Sequence, residues 1–186
     1  MRKNFGAKPF MYPLPVLIVA AYDEKGIPNA MNAAWGTIAD YHQVAIYLAK
    51  DHKTTQNILK TKAFTVSMAD ADHVKEADYV GIVSGNKVAD KVFKAGFHTV
   101  KSEFVNAPMI EELPLTMECK FVSYDEEAEL LIGEIVNVSA DEKILDENGK
   151  INPKKLNPLV YDSANHAYYT LGEKVGNAFN DGKLIN

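Results

Sequence analysis

The 186 residues contain one cysteine, Cys119, which excludes an intrachain disulfide framework and any metal site built from several thiolates. Within the strand-like run LTMECKF it reads as a buried, inert thiol and not as a nucleophile. That usage fits a reducing compartment, so the cytoplasm is the expected location. Familiar phosphate and metal fingerprints are missing too: there is no G-x-G-x-x-G, no G-x-x-x-x-G-K-[ST] and no H-E-x-x-H. The histidines stand at 42, 52, 73, 98 and 166, with no pair four residues apart, so a zinc site is not expected. DENGKIN lacks the alternating oxygen ligands of a calcium loop. No serine sits in a G-x-S-x-G elbow. A chain with these absences either does no covalent chemistry or borrows a cofactor for it.

Long hydrophobic runs and excess basic charge are also lacking. The apolar run VLIVAAY covers only residues 16–22, far short of the ~20 residues that cross a bilayer. Two prolines precede it and DEKG closes it like a turn, so it reads as a buried strand and not as a signal peptide or anchor. A net charge of −5 argues against nucleic acid as a partner.

What remains is an ordinary globular composition, 47% hydrophobic and 24% charged, in a length that suits one domain over residues 1–186. The first third reads as strands: PVLIVAAYD, then a turn at EKGIPN, then AMNAAWGTIAD and QVAIYLA. Asp51 or Thr54 opens a short helix, KTTQNILKT. AFTVSMA (63–69) is a further strand, followed by a helix over 70–85 capped by Asp70 or Asp72 and stopped by Gly85. VADKVFKAG is a second short helix ending at Gly96. Two long strands joined at DEEAE follow, the second with a bulge or bend at Gly133, and HAYYTLG is a last strand. Many strands with short helical insertions and no βαβ rhythm predict a mainly β fold, a β-barrel with α insertions. A doubly wound α/β sheet is the weaker reading.

Three stretches carry candidate chemistry. In KDHKTTQNI, Lys53, Thr54 and Thr55 enter a helix, where free N–H groups and the dipole favour an anion such as a terminal phosphate. The bland alternative makes Thr54 a cap and Lys53 a solvated side chain. In SGNKVADK, Ser84 and Gly85 end a helix, and Lys87 and Lys91 share a face if the segment is helical. Alone these are a solvated face; they gain meaning only if they meet the first cluster. Between them SMAD offers Ser67, Met68 and Ala69, whose backbone could read the edge of a heteroaromatic ring, unless Ser67 only starts the next helix. Upstream, MNAAWGTIAD sets the only tryptophan among alanine and glycine. Either a flat ligand lies close to that backbone, or two strands cross tightly there.

Taken in order, YPLPVLIVAA, MNAAWGT, DHKTTQNI, FTVSMAD, SGNKVADKV, PLTMECKF, LIGEIVNV and YYTLGEKVGNAF resemble the flavin reductase-like family of FMN-binding split barrels, which includes flavoredoxin. The matching pieces span roughly residues 8 to 180. The resemblance implies a Greek-key split barrel, a homodimer and one FMN per subunit near the dimer interface. It implies that Asn32, Trp35, Gly36 and Thr37 run along the isoalloxazine, and that Lys53, Thr54, Thr55 and Asn57 hold the ribityl-phosphate end. Ser67, Met68 and Ala69 would contact the ring from the neighbouring strand. Ser84, Lys87 and Lys91 match a segment that also approaches the cofactor, and Tyr168 or Tyr169 matches a C-terminal aromatic beside it. Strand neighbours point to opposite faces, so only one of these two tyrosines can turn inward. The chain departs from the family by offering Lys53 and His52 where many members use Arg, a point charge in place of a bidentate fork.

The expected function is therefore an FMN-dependent oxidoreductase passing electrons from NADH or NADPH to free flavin or another acceptor. The flavin carries the chemistry and no side chain need act as acid or base. A flavoredoxin-like electron carrier, served by a redox partner protein and without its own nicotinamide site, is the alternative. A non-catalytic flavin-binding barrel is the third.

Overall fold

Apolar residues at both odd and even positions after Pro15 mark a strand buried on both faces. A computed structural model, which describes residues 1–185, bears this out. After a short β1 (Leu14–Pro15), β2 (Leu17–Tyr22) turns Leu17, Val19 and Ala21 to one core and Ile18 and Ala20 to another. The turn at EKGIPN leads to β3 (Pro28–Ala33), then β4 (Gly36–Asp40), β5 (Gln43–Tyr47), helix α1 (Lys53–Thr61) and β6 (Ala63–Met68). Helices α2 (Val74–Ile82) and α3 (Lys91–Lys94) follow. Beyond them come the hairpin β7 (Thr99–Lys101) and β8 (Pro108–Ile110), then the long pair β9 (Leu115–Asp125) and β10 (Leu130–Ala140). Helix α4 (Pro153–Leu156) and strands β11 (Leu159–Asp162) and β12 (Ala167–Thr170) complete the elements. No helix among the described residues is long and apolar enough to cross a membrane.

Seven strands form one antiparallel sheet in the order β3-β2-β6-β9-β10-β5-β4. Its two edges are β3 and β4, which only Ala34 and Trp35 separate in the chain. The sheet therefore curls until the end of β3 and the start of β4 come together, giving a half-barrel with a seam at Trp35. This corrects the expectation of one strand over 30–40: the run breaks at 34–35 because its halves pair with opposite ends of the sheet. Gly36 is required at that break, since a Cβ there would lie 2.6 Å from the Leu17 side chain.

Inside the curl, Leu17, Val19, Ile46, Phe64, Val66 and Leu131 pack with Ile58 of α1. Outside, Ile18, Ala20 and Ala30 are covered by Ala77 and Val80 of α2, Val92 of α3, and Phe97. The expected bulge is present: register shifts between Ile132 and Gly133. There the missing Cβ makes room for Phe64, whose Cζ a Cβ would approach to 2.3 Å.

The helical segments are shorter than the sequence implies. Asp70 caps as expected, accepting from Asp72 and His73 N–H, but the first turn is 3₁₀ and α2 stops at Ile82, before Ser84. The second helix shrinks to α3, so Lys87 and Lys91 share no helix face. Lys91 is moreover buried, 3% exposed, and not part of a solvated face. The last strand is present as β12, within HAYYTLG, but its partners β1 and β11 and the hairpin β7–β8 had no clear sequence signature.

Candidate functional site

The start of α1 is uncapped. His52, not Asp51 or Thr54, occupies the N-cap position, and its side chain makes no cap hydrogen bond. The first helical bond runs from Gln56 N–H to His52 O at 3.0 Å, so the N–H groups of Lys53, Thr54 and Thr55 precede the helical ladder. Thr54 instead donates its hydroxyl to Asn29 Oδ1 of β3 at 2.9 Å. Thr55 and Asn57 are buried, and among the described residues Thr55 Oγ1 and Asn57 Nδ2 find no hydrogen-bond partner. An uncapped N-terminus with unsatisfied polar groups behind it fits an anion.

The end of α2 approaches the same place. Lys91 reaches back from α3 and donates to the carbonyls of Val80 at 2.9 Å and Val83 at 2.8 Å. A lysine at a helix C-terminus offsets the negative end of its dipole. Burial pushes its pKa down to about 8. The turn that follows is tied to the start of α1, because Asn86 Nδ2 donates to Asp51 O at 2.9 Å. Gly85 packs against the Asn29 amide.

The two clusters thus converge. Lys53, Thr54, Ser84 and Lys91 line one cavity of about 200 Å³, together with Met31, His52 and Gly85. Two lysines and a bare helix start give it positive potential, and Lys87 lies outside it, exposed. A second cavity, about 450 Å³, opens at the seam. Trp35, Gly36 and Thr37 form its wall with Met11, Leu14 and Tyr47, a nearly apolar lining beside exposed backbone. Trp35 is 54% exposed there, so its indole presents to the cavity surface and is not consumed by the core.

Other candidates go elsewhere. Ser67 is buried and its hydroxyl bonds that of Thr116 at 2.8 Å. Ala69 is buried, its N–H bonded to Val16 O and its carbonyl to Leu159 N–H. Met68 packs against the barrel core. Asn32 faces α2, donating to Ala77 O at 3.1 Å and to Tyr168 Oη at 3.5 Å. Tyr168 is the inward tyrosine: its hydroxyl donates to Asp78 Oδ1 at 2.8 Å, while Tyr169 is exposed. Burial first, then the Asp78 carboxylate, pushes Tyr168 up to about 12.

Sequence reasoning missed Asn29 and Asn86, and named His52 only beside Lys53 as a substitute for the family's Arg. Asn29 was hidden in a turn-like IPN, yet it sits on β3 at 3% exposure and joins the two halves of the charged cavity. Its only signal was a polar residue at the start of a strand.

The flavin reductase like domain matches residues 10–172. Flavoredoxin of Desulfovibrio vulgaris (Miyazaki F) is 35% identical, with coverage of 98% of this chain and 100% of that chain and a TM-score of 0.94. Flavoredoxin from Methanosarcina acetivorans is 30% identical over 98% of each chain, with a TM-score of 0.89. The uncharacterized protein YddH of Escherichia coli (strain K12) is 29% identical over 87% of this chain and 88% of its own length. With a domain match across most of its length and two flavoredoxins superposing on nearly all of it, the chain belongs to the flavin reductase-like family.

Proposed function

We propose that the protein binds FMN and works as an oxidoreductase of the flavin reductase type, taking electrons from NADH or NADPH and passing them to free flavin or another acceptor. One observation carries this reading: two polar clusters far apart in sequence meet at an uncapped helix start, forming a small positive cavity. Its donors suit a phosphate monoester, and the apolar seam cavity walled by Trp35, Gly36 and Thr37 suits a flat ring. Lys53, the α1 N–H groups and Ser84 would hold the phosphate, and Trp35, Gly36 and Thr37 would flank the ring. Bound there, FMN supplies the hydride and electron transfer. The protein's share is to fix the ring, exclude water from one face and tune the polar edge.

The seam also supports a homodimer. Trp35, Ile38, Tyr41 and Tyr47 are exposed around β4, a sheet edge that a second copy would cover. The test is an absorbance spectrum after adding FMN, followed by anaerobic NADH and then NADPH. Flavin bleaching with turnover onto free flavin is expected. Bound FMN that neither nicotinamide reduces would sink the reductase reading.

That outcome would favour a flavoredoxin-like electron carrier served by a redox partner protein. The two flavoredoxin structures support this second reading. Reduction by a low-potential redox protein, faster than by either nicotinamide, would select it.

A further inference from the structure

Lysine is almost never fully buried unless paired with a carboxylate. Lys91 is 3% exposed, and among the described residues its ammonium makes no salt bridge; its acceptors are two neutral carbonyls. An ammonium has three N–H donors, so one remains beyond Val80 O and Val83 O. The side chain lines the positive cavity, and no acidic residue lines that cavity with it. A buried cation without a counter-charge, on the wall of a site fit for an anion, lacks only its partner.

We propose that Lys91 is the buried counter-cation of this cavity and that binding a phosphate monoester there draws a proton from solvent onto the Lys91 amine wherever that amine is deprotonated. The inference rests on reading the cavity as the phosphate end of a flavin site. Burial by the chain itself holds the amine near a pKa of about 8. A dianion beside it favours the charged form and moves the group back up. The amine gains the proton; the phosphate, with its second pKa near 6, is already a dianion and exchanges none.

The surroundings leave few competing groups. From the start of α1, His52 and Lys53 face the cavity; β3 and α2 contribute Met31 and residues 80–85, none of which titrates. On the short helix of Lys91 itself, Asp90 pairs with Lys94 at 3.1 Å, both exposed.

The experiment is calorimetric titration of FMN into the cofactor-free protein at pH 8.5, in several buffers of different ionisation enthalpy. With the amine about three-quarters deprotonated at that pH, uptake of about 0.7 proton per FMN is expected. Riboflavin, which lacks the phosphate, should take up none. Lys91→Met should abolish the uptake and weaken FMN about tenfold or more. Lys53→Met should weaken binding but keep the uptake, and His52→Ala should keep it as well. Proton-neutral binding of FMN by the wild type, equal uptake with riboflavin, or uptake that survives in Lys91→Met would overturn the proposal. If FMN does not bind, the flavin reading fails, and inorganic phosphate then tests Lys91 alone: bound phosphate with uptake supports it, and binding without uptake, or no binding, refutes it. If Lys91→Met does not fold, the comparison of FMN with riboflavin on the wild type decides.

Discussion

Gly85 lies flat against the side-chain amide of Asn29, so that a Cβ at position 85 would come within 2.3 Å of Nδ2 and 2.7 Å of Oδ1. The amide cannot retreat easily, because it is buried and holds the Thr54 hydroxyl. Gly85→Ala should therefore cost about 1–3 kcal/mol of stability through overpacking. It should also lower FMN affinity by moving the turn away from α1. Denaturation midpoints and a flavin fluorescence titration measure the two effects; an unchanged midpoint would mean that the amide has room to move.

Trp35 offers the opposite profile. It is half exposed, so Trp35→Ala should change stability by no more than about 0.5 kcal/mol. Its affinity for FMN should fall by roughly threefold to tenfold, the worth of an aromatic contact of about 0.5–1.5 kcal/mol. Trp35→Phe should retain most of it. Equal affinities in all three proteins would place the indole outside the site.

Two buried groups make stability depend on alkaline pH with opposite signs. Lys91 is depressed from 10.5 to about 8, so between these values the unfolded chain holds the proton that the native chain has lost. Stability from this group rises with pH across that window. Cys119 is raised from 9.0 to about 12, first by burial and then by Glu118. Its contribution is complete below about 9 and disappears as pH climbs to about 12. Comparing cofactor-free wild type with Lys91→Met from pH 7 to 10.5 isolates the first term. The wild type should gain relative to the variant above pH 8, and parallel curves would contradict the assignment.

The same burial makes Cys119 inert. A chromogenic disulfide reagent at pH 8 should modify one thiol per chain in denaturant and almost none in the native protein. Its slow native reaction should follow the unfolding rate. Rapid native labelling would contradict the burial.

Just past β7, Ser102 meets Glu118, which is 1% exposed and, among the described residues, in no salt bridge. Its carboxylate accepts from the Ser102 hydroxyl and from Asn137 Nδ2, the latter at 2.6 Å. Ser102→Ala removes one donor from a buried acceptor and should cost about 1–3 kcal/mol. It also deletes the oxygen that receives the Phe104 and Val105 N–H groups. A midpoint within error of wild type would show that water replaces the hydroxyl.

Much of the barrel was legible because its causes are local. The apolar run of β2, the Asp70 cap and the Gly133 bulge each follow from side-chain chemistry within a few residues. The rest depends on partners distant in sequence. Nothing within MNAAWGTIAD says that Ala33 and Gly36 join opposite edges of a sheet; its small residues only permit it. Charge places Lys91 in water on any sequence scale, yet the carbonyls at the end of α2 and the packing of α3 take it inside. Asn29 shows the reverse case, a residue that reads as turn and proves to be the bolt between β3, Thr54 and Gly85. In sequence the charged cavity is two separate halves, and only the fold shows that they touch.

The seam at Trp35 has a consequence for synthesis on the ribosome. β2 can pair with β6 once residue 68 has emerged, but β5, which carries β4, finds its other neighbour only in β10, with Ile46 opposite Leu131. Those partners lie 131 − 46 = 85 residues apart, a wait of roughly 4–17 s at translation rates of about 5–20 residues per second. Until then the wall of the seam cavity is a loose hairpin with an indole exposed to the crowded cell, and a nascent chain at that stage is a natural client for a chaperone.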